Sequence, residues 1–306
     1  MREKENSPES SLLRSGFVAL LGWTNVGKST LLNRLVGAKL AAVSDAAQTT
    51  RNTITGVRSL PGRGQAVFVD TPGLHKPRHK MNRNMVERSR QTLGGVDLAV
   101  LVVDADRGVG AGDRQAAAML SRAEPTRLMV LNKVDLVRPK TKLLPLIEQG
   151  VEELGFPEVI PVSARTGEGC PELLEHLISL LPEAPPPFPE DYLTDQPERA
   201  LAAEWIREQL LAATRQELPH ATAVVIERWH ERDDGLLEID ATVLVDRTSQ
   251  KKIVIGRGGE LLKRVGTAAR LELERLLERR VGLRIWVKVC EDWRNNDRIL
   301  QQLGLG

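Results

Sequence analysis

Residues Gly22-Trp23-Thr24-Asn25-Val26-Gly27-Lys28-Ser29 fit the pattern Gly, any four residues, Gly-Lys-Ser/Thr. The run before them, 17–21, is apolar and has the length of a buried strand. The run after them, 30–36, carries leucines at helical spacing. Strand, glycine turn and helix together are the setting in which this motif cradles nucleotide phosphates. The glycines let several backbone N–H groups point at one oxyanion, and the helix N-terminus adds partial positive charge. Lys28 is expected to reach the β- and γ-phosphates. The Ser29 hydroxyl is expected on Mg²⁺, with Thr30 opening the helix behind it. By average residue usage, the four fixed positions co-occur by chance in about one chain in a hundred of this length. A motif of this kind commits the first half of the chain to an α/β fold.

Asn132-Lys133-Val134-Asp135 selects the base. It follows the apolar run 128–131, so it lies at the C-terminal end of a strand, where α/β sheets bind ligands. A carboxylate such as Asp135 accepts two hydrogen bonds from the N1–H and N2–H₂ edge of guanine. Adenine offers no such pair and would leave the carboxylate unpaired, a discrimination of about 10⁴–10⁵ in sites built this way. Ser163-Ala164-Arg165 follows the run 159–162 and would back the guanine from the other side.

Two loops would sense the third phosphate. The run 67–69 leads into Asp70-Thr71-Pro72-Gly73, with Leu74 next. Asp70 is expected near Mg²⁺ through water, and the Gly73 N–H at the γ-phosphate. Only a triphosphate supplies that last contact, so the loop should order with GTP and loosen with GDP. Between the motifs lies Gln48-Thr49-Thr50-Arg51-Asn52. Thr50 is the candidate second Mg²⁺ hydroxyl, with Thr49 as the alternative. The segment 43–52 is polar and without periodicity, as a switch should be.

The chain has 306 residues, enough for two domains. A net charge of +2 decides nothing about partners. Two cysteines, Cys170 and Cys290, lie far apart and without Cys-x-x-Cys spacing, so neither a disulfide framework nor a zinc site is indicated, which suits a reducing cytoplasm. Residues 1–15 are polar and read as a loose tail without a signal-peptide core. No apolar stretch is long enough to span a bilayer. Five prolines in the eight residues 182–189 mark a semi-rigid extended linker. The expected division is a tail at 1–15, a nucleotide-binding domain at 16–181, a linker at 182–196 and a second domain at 197–306.

That second domain is patterned differently. A helix is expected over 197–217, strands over 222–229 and 236–245, then a glycine turn, a long helix over 260–281 and a strand over 283–289. The turn is Ile255-Gly256-Arg257-Gly258-Gly259, a Gly-x-x-Gly loop ahead of a helix. KH domains clamp about four nucleotides of single-stranded nucleic acid with such a loop. Residues 247–270 hold Arg247, Lys251, Lys252, Arg257, Lys263, Arg264 and Arg270 against the single acid Glu260. This stretch alone carries +6, against +2 for the whole chain, a local positive charge of the kind a backbone-contacting groove requires. Trp229, Trp286 and Trp293 are candidates for base stacking, although tryptophan at strand spacing is more often core.

With both halves placed, the chain resembles the Era family of bacterial ribosome-assembly GTPases over residues 16–304. The likeness rests on Asn-Val-Gly-Lys-Ser-Thr, Gln-Thr-Thr-Arg, Asp-Thr-Pro-Gly-Leu-His-Lys-Pro, Asn-Lys-Val-Asp, Ser-Ala-Arg and Ile-Gly-Arg-Gly-Gly-Glu. It continues through Gly266-Thr267-Ala268-Ala269-Arg270 and Trp286-Val287-Lys288-Val289. The resemblance implies a P-loop GTPase domain, with a mostly parallel sheet and helices on both faces, followed by an α+β type II KH domain. It implies GTP/GDP and Mg²⁺ as ligands, and binding of the 16S rRNA 3′ end on the 30S subunit during its maturation. It also implies a cytoplasmic protein with peripheral membrane association. One departure is Trp23-Thr24, where the family usually has Arg-Pro.

The resemblance also shapes the expected chemistry. Leu74 stands where Ras-like switches carry a water-orienting glutamine, and leucine cannot polarise water. In several relatives the P-loop asparagine, here Asn25, ligates K⁺, which acts where an arginine finger would. Catalysis is therefore assigned to Lys28, Asn25, Thr50 and Gly73. Basal turnover should be slow, of order 10⁻⁴–10⁻² s⁻¹, and faster with K⁺ and with RNA. Arg51, His75 and Lys76 read as switch surface. The rival reading is a GTPase whose C-terminal half docks protein partners without sequence-specific RNA binding.

Overall fold

The computed structural model describes residues 13–43, 53–72, 79–121, 125–214 and 222–305. Thr49, Thr50, Arg51, Gly73, Leu74, His75 and Lys76 lie outside the described residues.

The first unit runs β1 (Arg14–Leu21), α1 (Lys28–Val36), β2 (Ile54–Leu60), β3 (Gly64–Asp70), α2 (Lys80–Thr92), β4 (Leu98–Asp104), α3 (Ala111–Leu120), β5 (Thr126–Asn132), α4 (Leu143–Glu148), β6 (Val159–Pro161) and α5 (Cys170–Leu180). Its sheet has the order β2-β3-β1-β4-β5-β6. Every neighbouring pair is parallel except β2 with β3, which run antiparallel. The central strands are apolar on both sides, as a sheet covered on both faces demands. In β1, Val18 and Leu20 point into one core with Leu31, Leu32 and Leu35 of α1 and Leu173 and Leu177 of α5. Ala19 and Leu21 point into the other, with Ala116, Ala117 and Leu120 of α3. The strand ends therefore converge on one rim, and the loops leaving β1, β3, β4 and β5 meet there.

The proline-rich segment is not a free spacer. It lies along the first unit and its exposed edge. Ser15 N donates to Pro182 O, Ala184 N to Leu13 O, and Val57 N in edge strand β2 to Leu193 O. The Gln65 amide both donates to Phe188 O and accepts from Phe188 N. An unpaired edge strand invites pairing with other chains, and the Val57 bond, with Thr194 Oγ1 donating to Thr55 O, covers part of that edge.

The second unit runs α6 (Glu198–Ala213), β7 (Thr222–Glu231), β8 (Leu237–Val245), α7 (Thr248–Ile255), α8 (Glu260–Leu277), β9 (Val281–Val289) and α9 (Asp297–Gln302). Its sheet has the order β7-β8-β9, antiparallel then parallel. One face packs on Trp205, Ile206 and Leu210 of α6 and on Val265, Ala269 and Leu273 of α8. Two helices differ from the sequence expectation. α7 precedes the glycine loop where only a turn was expected, its start fixed by Gln250 Oε1 accepting from Asp246 N and Arg247 N. α9 closes the chain, its first turn capped by Asn296 Oδ1, which accepts from Ile299 N. The long helix also ends at Leu277, and β9 begins at Val281.

The two units share a core. The sheet face away from α6 and α8 presents Ala223, Val225 and Leu244. These pack with Trp293, Leu300 and Leu305 around Met81 and Met85 of α2. Both methionines are 1% exposed. Lys80 N donates to Asn295 Oδ1, and Asn84 Nδ2 to Leu305 O. A second junction lies beyond α1, where Lys39 Nζ reaches Glu208 of α6 at 3.0 Å and Glu272 of α8 at 2.8 Å.

Candidate nucleotide site and nucleic-acid interface

The loop from β1 to α1 curls because three of its residues have left-handed or related backbone: Gly22 (φ 149°), Asn25 (φ 64°) and Gly27 (φ 95°). At Gly22 a methyl group would stand 2.4 Å from the Val102 carbonyl oxygen. Lys28 folds back into this curl and donates to Gly22 O at 3.3 Å and Trp23 O at 3.1 Å. Burial pushes its ammonium below the ordinary lysine range, while Asp70 and Asp113 partly oppose that shift. A buried cation with donors turned toward an N-terminal helix end is suited to a polyanion. Trp23 occupies the flank: a methyl at Gly112 in α3 would meet its indole ring at 2.3 Å, so the glycine makes room for it.

Ser29 Oγ donates to Asp70 Oδ2 at 2.9 Å, which sets two oxygen donors side by side below the loop. Hard oxygen donors are what Mg²⁺ takes, and it is ordinarily bound by one or two side chains plus phosphates and waters. Among the described residues no group of three or more His, Cys, Asp or Glu side chains gathers into a cage. The residues present thus fit Mg²⁺ arriving with a nucleotide. Thr71 Oγ1 donates to Leu20 O, and Ser89 Oγ of α2 to Pro72 O, so the strand-end loop is tied to α2.

The base-selecting residues interlock with the phosphate loop. Asn132 Nδ2 donates to Val26 O, and its Oδ1 accepts from Ala164 N. Lys133 Nζ spans Asn25 O at 2.6 Å and Asp104 Oδ2 at 2.7 Å. Val134 is buried beneath, its N–H bonded to Val162 O. Ser163 Oγ donates to Asp135 Oδ1 at 2.6 Å, and Arg165 Nη2 to Asp135 Oδ2. Burial alone would raise the Asp135 carboxyl, but those two bonds outweigh it and hold it below the ordinary range. An ionised carboxylate at a strand end, fixed by a serine, is the acceptor a guanine edge needs. Arg165 sits on that carboxylate, an arrangement the residue pattern alone did not foretell. Asp104 is a further residue that sequence reasoning passed over. It ends β4 and holds both Lys133 and the turn at Asp106 and Arg107.

The glycine loop of the second unit is more open. Gly256, Gly258 and Gly259 all have positive φ, at 75°, 59° and 85°. A methyl at Gly256 would stand 2.6 Å from Leu261 Cβ, whereas at Gly258 and Gly259 it would meet nothing within 4 Å. Lys252, Arg257, Lys263 and Arg264 are exposed around the loop, and Lys251, Ile255 and Arg270 are half-buried. Arg270 differs from the rest: its guanidinium is paired to Glu274 at 2.8 Å. Of the candidate stacking residues, Trp293 is fully buried in the core shared with α2, Trp229 is half-buried and Trp286 is exposed.

Comparison with known proteins follows the same division. A family model for 50S ribosome-binding GTPases matches residues 17–133, and one for KH domains matches residues 217–294. Among curated relatives, GTPase Era of Lacticaseibacillus paracasei is 46% identical over 290 residues, covering 95% of this chain and 96% of that protein. GTPase Era of Heliobacterium modesticaldum is 47% identical over 292 residues, covering 95% and 97%. A tyrosine-to-alanine variant of Aquifex aeolicus Era, solved bound to GDP and AlF₄⁻, superposes with a TM-score of 0.92 at 38% identity, covering 96% of this chain and 100% of that one. Era solved in complex with MgGDPNP and nucleotides 1506–1542 of 16S ribosomal RNA gives 0.91 at 38% identity, covering 96% and 99%.

Proposed function

Since this chain belongs to the Era family of GTPases, we propose that it is a GTP-hydrolysing switch that binds the 3′ end of 16S rRNA and assists assembly and maturation of the 30S subunit. GTP and GDP are its nucleotides and Mg²⁺ its metal. The observation that carries the reading is the coexistence of two phosphate-facing glycine loops in one chain, the first interlocked with a guanine-type carboxylate and the second ringed by exposed cations. The relatives solved with MgGDPNP plus 16S rRNA, and with GDP and AlF₄⁻, support it.

In this reading residues 16–181 form the GTPase domain and 197–306 the KH domain, with 182–196 between them and 1–15 as a tail. Backbone N–H groups of residues 22–30 and the Lys28 ammonium hold the phosphates. Asp135 and Ser163 read guanine, Asn132 and Ala164 shape its pocket, and the stem of Lys133 lies along it. Ser29 and Asp70, with Thr50, hold Mg²⁺, which neutralises charge on the β- and γ-phosphates. Gly73 and Thr71 place the loop that senses the γ-phosphate, and Asn25 is the side chain for K⁺. On the other face Lys251, Lys252, Ile255, Arg257, Lys263, Arg264 and Arg270 line the RNA groove around Gly256, Gly258 and Gly259. The cytoplasm, including the inner surface of the membrane, is the working place that goes with this role.

Single-turnover hydrolysis with Mg²⁺, in K⁺ or Na⁺ and with or without 3′-end RNA, tests the switch. Filter binding to the same RNA with Gly256→Asp tests the output. Faster hydrolysis with RNA in K⁺, and RNA binding lost in the variant, are expected. Equal rates under all conditions would refute the coupled switch. Binding unaffected by Gly256→Asp would favour a protein-docking C-terminal domain.

A further inference from the structure

The C-terminal unit has four tryptophans, and they are treated unequally. Trp205 and Trp293 are 4% and 0% exposed and fill the two cores, Trp229 is half-buried, and Trp286 is 48% exposed in the middle of β9. An indole at a regular strand position, left in water, is unusual: the residues that alternate with it on β9, Leu283, Ile285 and Val287, are buried or half-buried against the core. β9 is an edge strand. Its other side, through Ile285, faces α8: a methyl at Gly266 would lie 3.8 Å from Ile285 Cδ1. Gly266 follows Gly259 by seven residues of helix, about 10 Å along the axis. The strand edge that carries Trp286 is thus within a few nucleotides' reach of the Gly-x-x-Gly loop.

Period two in a strand puts Arg284 and Lys288 on the same side as Trp286. Both are exposed. The Arg284 guanidinium lies 5.8 Å from the indole centroid. Asp240 on β8 holds it through Nε at 2.7 Å and Nη2 at 3.0 Å, which leaves Nη1 for another oxygen. An exposed ring between two cations is the pattern by which proteins hold single-stranded nucleic acid: the ring stacks on a base and the cations follow the backbone. The same sheet face continues, through Leu244, into the core that docks α2.

We propose that Trp286, with Arg284 and Lys288, forms a stacking platform for the RNA strand that flanks the nucleotides clamped at 256–259. The occupant is a base of that same strand, carried around the edge of β9 after it leaves the glycine loop. Stacking is sequence-tolerant, so the platform adds affinity with length and does not select sequence. The proposal rests on the RNA-binding reading above.

The test uses the full chain and a nested set of 3′-end RNAs trimmed from about 20 nucleotides to four, the length one KH loop clamps. The wild-type affinity should rise in a step of about 5-fold or more at the length where the strand reaches β9. Trp286→Ala should lack that step and bind the shortest RNA as the wild type does, with GTP affinity unchanged. Trp286→Phe should restore most of the step. A step that survives in Trp286→Ala overturns the platform. Equal loss at every length, the shortest included, places the residue in the fold and overturns it too. If the wild type binds none of the RNAs, the RNA-binding reading itself falls and the platform with it.

Discussion

At Gly22 and Gly27 an added methyl group would lie 2.4 Å from the Val102 carbonyl oxygen and 2.3 Å from the Asn132 amide nitrogen; at Gly258 and Gly259 it would meet nothing within 4 Å. Both loops turn backbone N–H groups toward a helix start, yet they are constrained from different sides. The first is shaped by its own protein: β4 stands against Gly22, the Asn132 side chain against Gly27, and Lys28 is tied back onto the loop. Its pocket exists before a ligand arrives, which suits tight binding of one small molecule. Only Gly256 of the second loop is crowded from within. Its other glycines are open toward solvent, where a polymer backbone must approach. The first loop's glycines serve its neighbours in the chain, and the second's serve a visitor.

Substitutions at these glycines test the contrast most severely. Gly27→Ala should lower GTP and GDP affinity by about 100-fold or more, since it combines left-handed backbone with a steric overlap. RNA binding should persist, so nucleotide titration and filter binding would part company. Gly258→Ala should move the thermal midpoint by only a few degrees, the cost of left-handed alanine being of order 1 kcal/mol. A midpoint drop as large as that of Gly22→Ala would erase the distinction.

Asp135→Asn comes next. It keeps the shape and the Ser163 bond but removes the charge that reads N1–H and N2–H₂. GTP affinity should fall by about 100-fold, and xanthosine triphosphate should become the better ligand. Competition binding between the two nucleotides measures this; unchanged GTP preference would detach Asp135 from base reading. Met85→Ala probes what joins the two loops. Removing a fully buried methionine should cost about 2–4 kcal/mol. Because the side chain lies in a core built by both units, the denaturation curve should separate into two transitions, and RNA should lose its effect on hydrolysis.

The smallest effect belongs to the Lys39 junction. The bond from Arg275 holds the Glu272 carboxyl down to about 2; burial works against this, and Lys39 adds to it. A carboxyl depressed in the folded state stabilises above its ordinary range and loses that contribution as pH falls from about 4.5 toward 2. Stability measured by urea should therefore drop over that window. Lys39→Ala should flatten the drop by no more than about 1 kcal/mol, because the group is partly solvated.

The GTPase-like half was legible because each motif there punctuates a strand or a helix. A run such as 128–131 is apolar at every position only when both faces are covered, so Asn132 could be placed at a strand end without coordinates. The C-terminal half was read in order but not in full. α7 went unseen because its β-branched run Ile253-Val254-Ile255 reads as strand, and its start is made by Gln250 reaching back to the backbone. The shared core around Met81 and Met85 left no trace at all. Two methionines on a polar helix look like ordinary surface until the sheet that covers them is known. Arg165 on Asp135 was likewise invisible, since side chains meet there across loops some thirty residues apart in sequence.

That shared core also sets a timetable. The residues that cover Met81 and Met85 include Trp293, Leu300 and Leu305, more than 200 residues further along the chain. At ordinary translation speed α2 waits about 10–40 s between its own emergence and theirs. During that interval the GTPase-like half can fold while one helix still offers two methionines to whatever passes. A chain cut after Trp293 would keep both phosphate loops but lose Leu300 and Leu305 from that core. Until the segment that carries Leu300 and Leu305 has followed it out of the ribosome, α2 stays without part of its cover.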